Sequence, residues 1–210
     1  MSPNQIAQLL RSQPMRGVQF TVGGHTYGPI HYARVADAFL DRRILVERLD
    51  GGGPKSPSAF YSFTETERTD YDTLYVRRGA SLTRMITQAL VVHECTHAIQ
   101  DMRGRPMNVI ESEVAAYTAQ ALFLARRGTT WADVSVRARI EDREAPRSPR
   151  NPRVDAIIAA ADRVGQRLAS VASPPRAVLP AEVDALRAAI VAHPYYAQRT
   201  AHVAELDGVG

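Results

Sequence analysis

Cysteine occurs once in the 210 residues, at position 95. No intrachain disulfide can form, so stability must come from packing or from a bound metal. Lysine also occurs once, at position 55, so all but one of the 26 basic residues are arginine. Acidic residues number 22, and the net charge is only +4. That excess is small for the length and argues against a nucleic-acid binder. No apolar run approaches the roughly 20 residues that a membrane-spanning helix needs. The start, residues 1–17, has no cationic patch followed by an apolar run and a small-residue cleavage site. The expectation is a cytoplasmic protein without a membrane segment. With 45% hydrophobic and 23% charged residues, the composition is globular and excludes collagen-like and wholly disordered classes.

Before residue 80 the pattern is mixed. Residues 4–11 read as a short amphipathic helix, and 18–22 as a strand running into Gly23-Gly24. A helix is predicted over 31–42 and strands over 44–49, 59–64 and 73–77, with breakers at 50–54 and a polar stretch at 65–72. Beyond Gly79 the chain turns helical. Ser81 is the expected N-cap of a helix through Asp101, and Gly104 and Pro106 stop it. A second helix is predicted over 107–127 and another from Trp131. A Pro- and Arg-rich linker follows at 143–153, then two alanine-rich helices over 154–171 and 180–192. The fold class is therefore α+β. Residues 1–128 form the core with a small sheet, and 129–210 form a helical C-terminal portion packed on it.

Within the first long helix stands His93-Glu94-Cys95-Thr96-His97, an H-E-x-x-H pattern. At 100° per residue His97 lies about 40° around the helix from His93 and Glu94 about 100° from it. One arc thus carries two imidazoles and a carboxylate, which suits one metal and a base beside it. Val91, Val92, Cys95, Ala98 and Ile99 cover the other sides, as in a buried central helix. Buried histidines and a glutamate need partners. Zinc with a third ligand meets that need. In the next helix Glu111 and Glu113 lie about 200° apart, so only one can face the metal. Glu113 is centred on an apolar face, while Glu111 sits on a more polar side near the helix start, which selects Glu113. Cys95 points away from the metal arc, and Trp131 reads as a core anchor.

The runs Val92 to Asp101 and Glu111 to Tyr117 resemble the gluzincin branch of the zincin metallopeptidases. The segment Thr73-Leu74-Tyr75-Val76 is similar to the zincin edge strand. The resemblance spans about residues 59–127, and the whole is most similar to small bacterial zincin-like proteins. It implies a zincin-like fold: a small N-terminal sheet, a buried helix with the motif and a second ligand helix. It also implies zinc on His93, His97 and Glu113, with Glu94 as the general base. The implied activity is hydrolysis of a peptide or protein substrate, whose extended backbone would pair with the 73–77 strand. In many members an aspartate follows the glutamate ligand by one turn and supports the first histidine; Tyr117 stands there in this chain. Candidates for an oxyanion donor or a support of the ligands are Tyr117, Asp101, His193, Tyr195, Tyr196 and His202. The alternative is a zincin-fold binding or regulatory module that keeps the metal without the chemistry. A third reading, nucleic-acid binding through 137–153, is weakened by Glu141, Asp142 and Glu144 in that segment.

Overall fold

A computed structural model describes residues 1–49, 59–62, 72–141, 151–171, 180–204, 206, 208 and 209. Helix α1 (Pro3–Leu10) opens with a capping box between Ser2 and Gln5. A single turn, α2 (Gln13–Arg16), leads to strands β1 (Phe20–Val22) and β2 (His25–Tyr27). These pair antiparallel around Gly23-Gly24, whose φ values of 58° and 77° suit the two-residue hairpin turn. Helix α3 (Pro29–Leu40) and strands β3 (Ile44–Leu49), β4 (Ala59–Ser62) and β5 (Asp72–Arg77) follow. Then come helix α4 (Met85–Asp101), the two-residue β6 (Met107–Asn108) and helix α5 (Val109–Arg126). Helices α6 (Trp131–Glu141), α7 (Pro152–Ala169), α8 (Pro180–Val191) and the short α9 (Pro194–Ala197) lead to β7 (Val203–Ala204). The chain is α+β, and no described helix is long and apolar enough to cross a membrane.

Three departures from the sequence reading matter. First, the sheet order is β3-β5-β4, so the 73–77 strand lies in the centre and cannot take a peptide at an edge. It pairs parallel with β3 on one side and antiparallel with β4 on the other. Its burial, with Thr73 and Leu74 both at 0% exposure, fits a central place. Second, α4 begins at Met85, not at Ser81. The Ser81 hydroxyl accepts the Thr83 N–H at 3.2 Å, closing a local turn instead of capping a helix. Third, Met107 and Asn108 pair with β7 from the far end of the chain, and Asn108 Oδ1 caps α5 by accepting the Ile110 N–H at 2.8 Å. The breakers at 50–54, most of the polar stretch at 65–72 and most of the linker at 143–153 lie outside the described residues.

Helix α4 is buried along most of its length and is packed between α5, α3 and β4. Helices α7 and α8 pack on the side of α5, so one apolar core runs from Ile6 to Tyr196. The closest approach is at Gly165. A Cβ there would stand 2.5 Å from the Ala121 carbonyl carbon, which only glycine avoids. These contacts fix α5 beside α4 and so set the positions of the polar groups that both helices bury.

Candidate metal centre

His93 and His97 project from one face of α4 toward Glu113 on α5. Their ligand atoms and a Glu113 oxygen all lie within 4.8 Å of one another. His93 Nε2 is 3.5 Å from Glu113 Oε2, and His97 Nε2 is 3.9 Å from Glu113 Oε1. Tetrahedral zinc with ligands at about 2.0–2.1 Å needs ligand atoms roughly 3.3 Å apart, so the set would draw inward around an ion. Glu113 Oε2 is buried and makes no hydrogen bond among the described residues. Two imidazoles and an orphaned carboxylate oxygen converging in this way fit a divalent cation.

The His97 ring is held from behind. Gln100 Nε2 donates to the Ser112 carbonyl at 3.1 Å, which orients the amide. Gln100 Oε1 then faces His97 Nδ1 at 2.9 Å and also accepts from Ser112 Oγ at 2.6 Å. The Nδ1 proton is thereby fixed, and the Nε2 lone pair is turned toward Glu113. The His93 ring packs edge-on against Tyr117, with centroids 4.6 Å apart, and Tyr117 stacks on Trp131.

Electrostatics mark the same place. Burial pulls the His93 pKa down, but the close contact with Glu113 and the charge of Glu94 outweigh it and hold the pKa above its ordinary value. Burial pushes Glu113 up, and His93, His97 and the nearby Tyr196 phenol bring it below its ordinary value. Glu94 is raised, chiefly by burial, although both histidines and the Tyr61 N–H oppose the rise. The backbone N–H of Tyr61 on β4 donates to Glu94 Oε2 at 2.9 Å. His93 and Glu113 thus stabilise each other's charged forms, with Glu94 beside them pushed toward its neutral form.

The remaining candidates separate. Tyr196 comes to the site: its hydroxyl lies 3.1 Å from that of Tyr117, and its pKa is raised by burial and then by the Glu113 carboxylate. Asp101 supports neither histidine. It accepts the Tyr61 phenol at 2.8 Å and the Gly208 N–H at 3.3 Å, because β4 and the C-terminal segment approach the end of α4. His193 caps α9 by accepting the Tyr195 N–H. Tyr195 is 54% exposed and packs on Arg199. His202 is exposed, and its carbonyl accepts the Val109 N–H. Glu111 pairs with Arg187, with Nε 2.6 Å from Oε1, and takes no part in the cluster. Cys95 is buried, with its thiol pushed well up by burial and then by Glu94, as befits an unreactive core residue.

Sequence reasoning overlooked Gln100, Ser112 and Tyr61. Gln100 sits three residues after His97, a spacing that brings side chains together on a helix. Tyr61 carries no comparable local signal. No family model, curated protein or solved structure matches this chain.

Proposed function

We propose that the chain is a zinc-dependent metallopeptidase with a zincin-like core of the gluzincin kind. One observation carries the reading: His93, His97 and Glu113 converge while Glu94, one residue after the first histidine, is buried beside them with a raised pKa. Zinc, when bound by those three side chains, supplies Lewis acidity toward a substrate carbonyl and acidifies water. The protein residues do the rest. Glu94 accepts the proton of the attacking water and delivers it to the departing amine, a role that a carboxyl with a raised pKa suits. Tyr117 and Tyr196 both keep their phenolic protons, since burial and the Glu113 carboxylate raise both pKa values. Of the two, Tyr196 is the donor for a developing oxyanion. An extended peptide would lie along the outer side of β4, where Tyr61 already meets Glu94.

The test is Glu94→Gln, assayed on an unfolded protein or a peptide library. Zinc content and fold should persist, and kcat should fall by about 10² to 10⁴. Hydrolysis that survives the substitution undiminished refutes the reading. A zinc-loaded wild type that cleaves nothing favours the alternative, a zinc-holding module without peptidase chemistry.

A further inference from the structure

The two histidines are not supported alike. His97 Nδ1 meets Gln100 and Ser112, whereas His93 Nδ1 is buried with no hydrogen-bond partner among the described residues. A second glutamine is buried in the same region. Gln120 is 0% exposed, and both of its amide atoms, Oε1 and Nε2, are also without a partner among the described residues. Gln120 lies seven residues after Glu113, two turns along α5 and only about 20° around it. Tyr117 lies between them on the same stripe and touches the His93 ring. Because α4 and α5 form a hairpin around residues 102–108, moving back from His97 to His93 on α4 means moving onward from Ser112 toward Gln120 on α5. Gln120 is accordingly carried to the His93 end of α4, where the unpartnered ring nitrogen and the unpartnered amide share one buried region.

We infer that Gln120 is the positioning residue for His93, accepting the Nδ1–H on Oε1 when His93 Nε2 ligates the metal. This rests on the metal-centre reading above. A neutral imidazole bound through one nitrogen carries its proton on the other, and a buried N–H of that kind requires an acceptor. Gln120 Oε1 is a buried acceptor already at hand. The stripe Glu113, Tyr117, Gln120 then gives His93 a co-ligand, a ring to pack on and a proton acceptor. Each histidine would be backed by a neutral amide, Gln100 for His97 and Gln120 for His93. The carboxylate that the gluzincin resemblance led one to look for one turn after Glu113 is replaced by an amide nearly one turn further on. With no added negative charge behind either ring, the imidazoles stay weaker donors and the metal keeps more of its Lewis acidity.

The experiment is chelator-competition titration of zinc with the full chain, as wild type, Gln120→Leu and Gln120→Glu, alongside NMR of ¹⁵N-histidine-labelled protein. Gln120→Leu should bind zinc 10- to 100-fold more weakly, with its helical circular dichroism kept. Gln120→Glu, an acceptor of the same shape, should restore wild-type affinity or exceed it, and should shift the His93 Nδ1–H resonance. Zinc affinity of Gln120→Leu within twofold of wild type overturns the inference while leaving the metal centre standing. If Gln120→Leu does not fold, an unmoved His93 resonance in zinc-loaded Gln120→Glu overturns it equally. A wild type that binds no zinc removes this inference and the metal centre together.

Discussion

The backbone N–H of Tyr61 donates to Glu94 Oε2 at 2.9 Å. The Tyr61 phenol meanwhile donates to Asp101 at 2.8 Å, seven residues further along the same helix. One residue of β4 thus grips α4 at two points, once through its main chain and once through its side chain. The two can be separated experimentally. Tyr61→Phe removes only the phenol and leaves a buried carboxyl short of one donor. Stability should fall by about 1–3 kcal/mol, the range for leaving a buried polar group short of a partner. Zinc affinity should stay unchanged, since the main-chain bond remains. A thermal melt and a zinc titration check both, and a loss of zinc without a loss of stability would contradict the division.

Asp101 gives the protein a pH dependence of definite sign. Burial raises its pKa most, the Tyr61 phenol opposes, Asp72 raises it further, and the value reaches about 7 from an ordinary 3.8. The folded state therefore holds a proton on this group where the unfolded chain does not. Its contribution is fully present below pH 3.8 and is lost as pH rises through 7. The decline amounts to at most roughly 4 kcal/mol. Asp101→Asn keeps the shape without the charge. Urea denaturation from pH 4 to 8 should show a flatter stability profile for the variant, which should overtake wild type above neutrality. Parallel profiles would show that Asp101 does not titrate in this window.

Much of this arrangement was written in local sequence. The spacing of His93, Glu94 and His97 determines a shared arc on any helix, and the apolar residues around Glu113 placed it inward while Glu111 found Arg187. Strands β3 and β5 followed from β-branched and aliphatic runs. What escaped was set by pairing between distant segments. Nothing within 73–77 says that β4 rather than β5 lies outermost, because a central and an edge strand of this length look alike. Strand β7 exists only because Met107 and Asn108 accept it as a partner. Asp101 is an acid at a helix end by sequence, and only the approach of β4 and Gly208 gives it partners.

The choice between the two glutamates of α5 can be read directly. Glu113→Ala removes an oxygen from each side of the cluster and should lower zinc affinity by more than about 10²-fold, the scale on which even less direct supports act. Glu111→Ala breaks a partly exposed pair with Arg187, which Asp184 also holds. It should cost under about 1 kcal/mol and leave zinc binding alone. Equal losses of zinc in both variants would place α5 in a different rotation from the one described.

Tyr196 offers the sharpest test of the chemistry, because it touches the site without belonging to the metal-ligand cluster. Its phenol lies 3.1 Å from that of Tyr117, and its pKa is raised by burial and by the Glu113 carboxylate. It therefore remains a hydrogen-bond donor throughout the neutral range. If it donates to the oxyanion, its interaction is stronger in the transition state than with bound substrate. Tyr196→Phe should then lower kcat by about 10² to 10³ while KM moves little. Zinc affinity should change far less than in Glu113→Ala, since both histidines and the carboxylate stay in place. Tyr117→Phe is the companion variant, as it removes the other phenol of the pair but keeps the ring against His93. It should leave most of the activity. A Tyr196→Phe variant with undiminished kcat would show that this phenol only packs beside Glu113, and any oxyanion donor would have to be sought elsewhere around the site.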